Sequence, residues 1–360
     1  MDVFDRIGGD EHEQVVYCHD RSAGLRAIIA VHSTRLGPGL GGTRFHPYPS
    51  EDDALTDVLR LARAMTYKAA AAGLDLGGAK AVILGDPATE RSEALLRAYG
   101  RFVDSLGGRY LTAEDVGTTQ ADMDLIRRET RFVTGISREL GGSGDPSDAT
   151  AVGVLWAMRA VALHLWEDTS LAGRHVVVSG VGKVGGRLVE LLVDERARVT
   201  VADVDPAAVT RAVERLGVGV VPVEDAPRTP CDIFSPCALG GVLDAVTIPE
   251  LRCAAVVGSA NNQLSDLGAA KLLSEAGVLY ATDYVVNAGG LINIAEELAP
   301  GGYRPQRAEA AVRRIFDTTA AVIAMADSEG VTTAEAAEQL AERRIADVAR
   351  VGQIRTSFPL

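Results

Sequence analysis

Residues 174–194, RHVVVSGVGKVGGRLVELLVD, decide the fold of this chain. An apolar, β-branched run is followed by Gly180-Val-Gly-Lys-Val-Gly185, which matches the pattern GxGxxG, and then by a helical repeat of apolar residues. In that pattern the first glycine makes a tight turn, the second lets a pyrophosphate approach the backbone, and the third lets the helix pack closely on the strand. The stretch therefore predicts the strand, loop and helix that open a dinucleotide-binding domain.

The loop and the strand that follows it predict how the dinucleotide is held. Amide groups at a helix N-terminus suit phosphate, so we expect the cofactor to contact the loop residues Gly180, Val181, Gly182, Lys183, Val184 and Gly185. Asp203 ends the next strand, eighteen residues after Gly185, where its carboxylate can accept hydrogen bonds from both ribose hydroxyls and repel a 2′-phosphate. The predicted cofactor is therefore NAD. The alternative is a glycine-rich turn beside an ordinary strand-end aspartate.

Strands and helices alternate beyond this motif, as expected for a parallel sheet covered on both faces. Their patterns lie at residues 175–179, 184–194, 199–202, 206–216, 231–235, 255–258 and 278–282. We predict an α/β protein of two domains with a cleft between them. The first is an N-terminal α/β substrate domain at 1–137, and the second is a Rossmann-type, doubly wound parallel-sheet domain at 138–330. The Gly, Ser and Pro-rich segment 138–147 is the expected hinge, and a last helix at about 331–360 is expected to pack back on the first domain.

Composition restricts the kind of partner. The net charge of −13 over 360 residues disfavours nucleic acid and anionic membranes as partners, because both bind proteins through clustered positive charge. Chemistry on a small molecule is therefore favoured. The N-terminal residues are acidic, and no apolar run approaches the ~20 residues that span a bilayer, so we expect a cytoplasmic protein. The cysteines and histidines show no metal-binding spacing, and no metal site is expected.

In the first domain, the residue pattern predicts two strands, a loop and a helix. The strands are expected at 14–19 and 25–31, and the glycine-dense residues 36–44 are expected to form a loop. A helix is predicted from about Ser50, which suits an N-cap position. Its apolar residues recur at helical spacing up to Met65, and Lys68 continues that face. An ammonium on the buried face of a helix requires a nearby anion or a lowered pKa.

Lysine is rare in this chain, since only four of its 36 basic residues are lysines. A partly buried lysine can lose its proton, which arginine cannot. Lys80 lies in the stretch GGAKAVI, twelve residues after Lys68, and Asp115 follows a strand-like segment, where ligands bind in α/β sheets.

This set suits an amino acid substrate, with Gly41 and Gly42 as further contacts. One lysine can hold the α-carboxylate, and the aspartate can meet the ammonium. The other lysine, its pKa lowered by the first, can transfer protons. The alternative is a turn-flanking lysine and a helix-end lysine without a chemical role.

Several long stretches identify a family resemblance. They are GPGLGGTRFHPY, ARAMTYKAAAAGLDLGGAKAVILGDP, GGRYLTAEDVGT, GVGKVG, CALGGVL, GSANNQL and DYVVNAGGLI. The chain resembles the glutamate/leucine/phenylalanine/valine dehydrogenase family over nearly its whole length, and looks most like its actinobacterial valine dehydrogenase branch. The resemblance implies that Lys80 is the catalytic lysine, that Lys68 binds the substrate carboxylate, and that Asp115 is the proton-transfer acid and base. It also implies that Asn262 lies near nicotinamide and substrate and that Thr150 contacts the carboxamide.

The resemblance also implies the substrate. It places Leu40, Ala113, Leu291 and Ile294 around the substrate side chain. The glutamate branch has a lysine where Leu40 stands, so this apolar pocket should reject glutamate. Phenylalanine enzymes tend to have glycine where Ala113 stands, so branched aliphatic side chains are favoured here. Valine and leucine differ by one methylene, worth only about 1–3 kcal/mol, and both remain open.

The implied reaction is reversible, NAD-dependent oxidative deamination of a branched-chain L-amino acid to the 2-oxo acid and ammonia, in a homo-oligomer. One position departs from the family: GGGK is usual where this chain has Ala79 before Lys80. An alanine costs little at negative φ but strains the backbone at positive φ. Two alternatives stay open, namely a relative that acts on phenylalanine or an unusual amino acid, and a catalytically silent NAD-binding relative.

Overall fold

The computed structural model describes residues 3–9 and 11–351 and divides into two compact units. Unit 1 contains Met1–Asp145, Ile294–Pro305 and the segment from Ala341, and unit 2 contains Pro146–Asn293 and Gln306–Leu340. The boundary after Asp145 lies within the segment expected as a hinge, eight residues beyond the boundary predicted at 137. The sequence pattern did not indicate that the chain returns to unit 1 at Ile294.

Unit 1 is built on a mixed five-stranded sheet. Its strands are β1 Gln14–Asp20, β2 Leu25–Ser33, β3 Gly39–His46, β4 Gly77–Leu84 and β5 Tyr110–Glu114. They lie in the order β1-β2-β4-β3-β5. Strand β2 runs antiparallel to both of its neighbours, β1 and β4. Strand β3 runs parallel to both of its neighbours, β4 and β5. The carboxyl ends of the three parallel strands therefore meet at one edge of the sheet, where chemistry is usual in α/β proteins.

Helices cover both faces of this sheet. Those of the first 145 residues are α1 Val3–Gly9, α2 Glu51–Ala71, α3 Glu93–Ser105 and α4 Gln120–Ile126, with a 3₁₀ turn at Arg138–Leu140. As predicted, Ser50 caps α2, and its side chain accepts a hydrogen bond from the Asp53 amide. The apolar stripe of α2 is buried against Ile28 and Val82 on one face, while α3 and α4 pack against Ile29 on the other.

One local prediction in this unit was wrong. The glycine-dense residues 36–44 do not remain a loop, because β3 begins at Gly39. The alternative of a turn-flanking Lys80 does not hold either, because Lys80 lies inside β4, whose residues are all buried. The glycines serve close strand packing instead: a Cβ on Gly41 would lie 1.7 Å from the Ala79 carbonyl oxygen.

Unit 2 contains a parallel sheet of six strands, which confirms the predicted doubly wound fold. The strands are β6 His175–Ser179, β7 Arg198–Ala202, β8 Gly219–Val220, β9 Ile233–Pro236, β10 Ala255–Val256 and β11 Leu279–Tyr280. Their order is β11-β10-β9-β6-β7-β8. The two-residue strand β8 is the one that the sequence pattern missed.

The remaining helices surround the second sheet or return to the first unit. They are α5 Ser147–Trp166, α6 Lys183–Asp194, α7 Pro206–Leu216, α8 Leu267–Glu275, α9 Asp283–Val286, α10 Gly289–Ala295, α11 Pro305–Arg313, α12 Ile315–Glu329 and α13 Thr333–Val351. Short 3₁₀ turns lie at Val223–Asp225, Ile248–Glu250 and Glu296–Leu298.

Helix α5 is long and apolar enough, by length and composition, to cross a membrane, which we did not expect from the sequence. Half of its apolar window is buried, and core helices of soluble proteins meet the same criterion.

The second half of α13 packs on unit 1. Ala341 is buried with Leu36 and Ala70, and the Arg344 guanidinium donates to the Leu74 carbonyl at 2.6 Å and to Asp75 at 2.7 Å. The predicted last helix extended to residue 360, and its part beyond residue 351 lies outside the described residues.

Close packing of α2 on β4 generates a stability prediction. A Cβ on Gly78 would lie 2.1 Å from the Thr66 amide nitrogen and 2.6 Å from the Ala62 carbonyl oxygen, both backbone atoms of α2. Gly78→Ala should therefore destabilise unit 1 by about 1–3 kcal/mol, the usual cost of overpacking. Gly8→Ala is the control, because nothing lies within 4 Å of its added methyl. Thermal unfolding followed by circular dichroism would contradict the packing if Gly78→Ala unfolded at the temperature of the control.

Candidate active site

Four of the predicted catalytic and substrate residues of unit 1 share one face of its sheet. Leu40 lies opposite Gly78 on β4, and Gly42 lies opposite Ala113 on β5. Side chains alternate between faces along a strand, so Leu40, Gly42, Lys80 and Ala113 share the face that α2 covers. Unit 1 thus assembles residues that are far apart in the sequence.

Lys80 and Asp115 form the central contact of this face. The Lys80 side chain is buried, with 5% of the residue exposed, and its Nζ lies 2.8 Å from Asp115 Oδ1. Strand β3 lies between their two strands, and the contact passes over Gly42. A Cβ on Gly42 would lie 2.3 Å from the Glu114 carbonyl oxygen and 3.0 Å from Asp115 Cβ. Glycine at this position therefore allows β3 and the end of β5 to approach closely beside the contact.

Asp115 stands directly after β5 and is held from several sides. Its backbone amide donates to Thr118 Oγ1 at 2.8 Å, and the Thr118 hydroxyl donates to the Thr43 carbonyl at 2.8 Å. Its second carboxylate oxygen, Oδ2, accepts a hydrogen bond from Arg44 Nε at 2.9 Å. Burial alone would raise the pKa of Asp115, but the cations Lys80 and Arg44 outweigh burial and hold this pKa below its ordinary value.

Arg44 is a site residue that the sequence analysis missed. We expected 36–44 to be a loop, in which no face is defined. As a strand, β3 repeats with period two, and Arg44 follows Leu40 and Gly42 on one face. The strand assignment would have been sufficient to find it.

A buried hydroxyl network supports the same strands from the opposite face, and it was also missed. Thr43 Oγ1 lies 2.5 Å from Tyr99 Oη and 2.7 Å from Thr112 Oγ1, and the Tyr110 hydroxyl donates to the Gly41 carbonyl at 2.8 Å. All four hydroxyl residues are fully buried. The network holds the Gly41 carbonyl in place, while the substrate contact of Gly41 stays a prediction.

Lys68 lies in the last turns of α2 and is half-buried. The helix that carries it covers the sheet face on which Lys80 lies. The role of Lys68 as carboxylate binder stays a prediction.

The departure at Ala79 does not strain the backbone. Ala79 is not among the non-glycine residues with positive φ in the described chain. Its side chain is fully buried in the core with Val31 and Ile29, and a Cβ on Gly39 would lie 2.8 Å from its methyl. The methyl therefore occupies space that Gly39 leaves open, and the neighbouring Lys80 contacts Asp115 at 2.8 Å.

In unit 2, the loop after β6 has the conformation that phosphate binding needs. Gly180 has φ +104°, and a Cβ on Gly185 would lie 1.9 Å from the Gly180 carbonyl oxygen. Gly182 has nothing within 4 Å of an added Cβ, and helix α6 begins at Lys183 without a side-chain cap. The N-terminus of α6 therefore directs its backbone N–H groups and positive potential toward the loop, as an anion site needs. Val181 lies in this loop, and Val184 lies in the first turn of α6.

Asp203 lies beside this loop at the end of β7. Its Oδ2 accepts a hydrogen bond from the Val181 amide at 2.6 Å, and its Oδ1 accepts one from the Asp205 amide at 2.8 Å. These bonds fix the carboxylate at the edge of the loop, as a group that binds ribose hydroxyls requires. The loop and Asp203 together fit a dinucleotide.

The other predicted residues of unit 2 lie in two places. Thr150 is in the first turn of α5 and packs on Gly290, where an added Cβ would lie 2.8 Å from its hydroxyl, while Leu291 is buried in α10. Asn262 is exposed, with φ +51°, and its carbonyl accepts a hydrogen bond from the Gly241 amide at 2.7 Å. Asparagine tolerates this left-handed conformation better than most residues do.

The four residues predicted to surround the substrate side chain are divided between the two units. Leu40 and Ala113 are buried in unit 1, where Ile294 is half-buried and packs near Gly135. Leu291 belongs to unit 2. The grouping of these four side chains around one substrate stays a prediction.

Two family models match the chain. The one described as Glu/Leu/Phe/Val dehydrogenase, dimerisation domain, matches residues 12–132. The one described as Glutamate/Leucine/Phenylalanine/Valine dehydrogenase matches residues 141–212 and 206–352.

Individual relatives are similar over nearly the full chain. A valine dehydrogenase of Streptomyces virginiae is 54% identical over 339 residues, covering 93% of this chain and 94% of that protein. A leucine dehydrogenase of Geobacillus stearothermophilus is 50% identical over 345 residues, covering 96% and 94%. The crystal structure of L-tryptophan dehydrogenase from Nostoc punctiforme aligns with a TM-score of 0.85 at 41% identity, covering 96% of this chain and 99% of that one.

The ion pair predicts how Asp115 titrates. Because its pKa is depressed on folding, its ionisation stabilises the protein fully above the unfolded-state pKa, and this stabilisation is lost as the pH falls through the folded-state pKa. Lys80→Met removes one of the two cations and should raise the pKa of Asp115, measured by carboxyl ¹³C NMR with Asp115→Asn to identify the resonance. Lys271→Met, whose lysine is exposed beside Glu275, should leave it unchanged. Equal titration of Asp115 in Lys80→Met and wild type would contradict the pairing.

Proposed function

The chain belongs to the Glu/Leu/Phe/Val dehydrogenase family, and we propose that it catalyses reversible, NAD-dependent oxidative deamination of a branched-chain aliphatic L-amino acid to the 2-oxo acid and ammonia. The observation that carries this proposal is the 2.8 Å contact between buried Lys80 and Asp115 on the sheet face that also carries Leu40 and Ala113. A buried lysine and aspartate beside apolar side chains support proton transfer to and from an apolar amino acid.

Members of this family require a nicotinamide cofactor, which accepts the hydride that leaves the substrate Cα. The α6 N-terminus and the loop Gly180–Gly185 would hold its phosphates, with Lys183 and Val184 in the first turn of the helix. Asp203 would accept hydrogen bonds from the ribose hydroxyls and disfavour a 2′-phosphate, which supports NAD over NADP. Thr150 and Asn262 are the proposed contacts of the nicotinamide end.

In unit 1, each polar side chain has a distinct role in the proposed reaction. Lys68 pairs with the α-carboxylate of the amino acid, and the backbone of Gly41 and Gly42 lines the same place. Loss of hydride from Cα leaves an iminium, to which water adds. Before hydride loss Asp115 takes a proton from the substrate ammonium, and it later returns this proton to the nitrogen, while neutral Lys80 takes a proton from the attacking water. As ammonia leaves and the carbonyl forms, Asp115 accepts the hydroxyl proton. The 2.8 Å contact lets a proton pass between Lys80 and Asp115, and release of both protons to solvent restores the two groups.

Apolar side chains decide which amino acid is accepted. Leu40 and Ala113 are buried and uncharged, so the distal carboxylate of glutamate would lose its hydration without gaining a cation. This supports rejection of glutamate. The named relatives act on valine and on leucine, which supports the branched-chain class. An aromatic amino acid is the second candidate, since the solved relative is a tryptophan dehydrogenase of the same fold.

Assembly and location follow from the same family. The model that matches residues 12–132 is described as a dimerisation domain, which supports a homo-oligomer. We expect the enzyme in the cytoplasm, where amino acids and NAD are available.

An assay of amino acids tests the proposal. NADH formation should occur with valine, leucine and isoleucine, with little or none from glutamate, phenylalanine or tryptophan, and NADP should be a poor substitute for NAD. Lys80→Ala should lower kcat by about 100-fold or more, as expected for loss of a proton-transfer group, while NAD binding measured by calorimetry is retained. Lys271→Ala is the matched control and should keep full activity. NAD binding without turnover of any amino acid would overturn the proposal.

A further inference from the structure

We propose that Arg44 is a positioning residue for the Asp115 carboxylate: it holds Oδ2 through an ion network anchored on α2, so that Oδ1 alone faces Lys80 and exchanges protons. This inference rests on the proposed function for its effect on turnover. The hold on the carboxylate is a property of unit 1 and can be measured without substrate.

Arg44 bridges two carboxylates that come from different elements. Its Nε donates to Asp115 Oδ2 at 2.9 Å, and its Nη1 donates to Asp57 Oδ2 at 2.7 Å. Asp115 follows β5, Arg44 lies on β3, and Asp57 lies in the second turn of α2. A guanidinium is planar and donates along fixed directions. Two bonds in two of these directions leave it little freedom to rotate.

Asp57 is itself held in place. The Tyr48 hydroxyl donates to its Oδ2 at 2.7 Å, and Arg60 Nη2 donates to its Oδ1 at 3.0 Å. Burial raises the pKa of Asp57, but Tyr48 and the two arginines outweigh it and lower this pKa. Charges therefore alternate from Asp115 through Arg44 and Asp57 to Arg60, and the first three side chains are only 15–22% exposed. Partly buried pairs are screened less by salt than exposed ones.

The network makes the two oxygens of Asp115 unequal. Arg44 is permanently charged and has no acceptor atom, so the oxygen that it binds cannot pass a proton to it or from it. The other oxygen lies 2.8 Å from Lys80 Nζ. Without Arg44 the carboxylate could rotate about χ2, a soft torsion, and take up a proton at either oxygen. Arg44 thus directs protonation to Oδ1.

The charges around Asp115 set the expected pH response. Lys80 faces it from β4, Arg44 faces it from β3, Asp57 of α2 binds the other side of Arg44, and Glu114 precedes it in the chain. When Arg44 is removed, Lys80 is left to oppose the rise that burial causes in the pKa of Asp115. The pKa of Asp115 should therefore rise. The acid limb of the rate profile should therefore move to higher pH.

The test combines kinetics with titration of Asp115 in the full-length protein. Arg44→Met should lower kcat for valine by about 100-fold, the effect expected when a reacting group moves by about 1 Å, with little change in KM for valine or NAD. It should also move the acid limb of kcat/KM and the Asp115 carboxyl ¹³C titration to higher pH. Arg44→Lys should recover part of the titration shift and little of kcat, because it restores the charge but not the two-directional contact. If Arg44→Met fails to fold, Arg44→Lys still tests the proposal.

Arg101→Met is the matched control, since Arg101 also binds a carboxylate in unit 1, that of Glu129, but is 71% exposed. It should leave kcat and the Asp115 titration unchanged. Wild-type kcat together with unchanged titration in Arg44→Met would overturn the inference, as would a loss confined to KM. If the wild type turned over no amino acid but Arg44→Met still shifted the Asp115 titration, the proposed function would fail while the hold of Arg44 on Asp115 stood.

Discussion

The contact between Lys80 and Asp115 across Gly42 constrains the arrangement of unit 1. An ammonium buried in a strand of small apolar residues is tolerated only beside an opposite charge, and that charge comes from the second strand along the sheet. Gly42 lies on the intervening strand, where a Cβ would meet the Glu114 carbonyl oxygen and Asp115 Cβ, and the close approach of α2 explains Gly78. These two glycines therefore follow from close backbone packing around the ion pair.

Strand packing explains where prediction from the sequence succeeded and where it failed. In unit 2, β6 and β9 are buried and read as apolar runs, and β6 precedes a glycine motif with a known mechanism. The helices and strands β6, α6, β7 and α7 accordingly lie within one residue of the predicted ranges. In unit 1 the glycines around Gly41 indicated a loop, because glycine is normally rare inside strands. Their structural reason is the close approach of Ala79 on the neighbouring strand, which no local pattern contains.

Local sequence patterns also did not indicate where the chain passes from one unit to the other. Residues 294–305 return to unit 1 within and after α10, without a break in the helical pattern. What fixes them there is a long-range contact: the Glu297 carboxylate accepts hydrogen bonds from the backbone amides of Gly135 at 3.1 Å and Ser143 at 2.7 Å. Burial raises the pKa of Glu297, and these amides act against that rise. Such a contact depends on residues more than 150 positions apart.

The proposed chemistry depends on both units, yet each contributes a separable part. The loop after β6 and Asp203 fit a dinucleotide by backbone conformation, whereas Lys80, Asp115 and Arg44 fit proton transfer by charge. The measurement that tests the central claim most directly is the fate of the substrate α-hydrogen. With [2-²H]valine and NAD, the account predicts that deuterium appears at nicotinamide C4 of the NADH formed, together with one equivalent of ammonia. NADH without deuterium, or release of the deuterium to water, would contradict it.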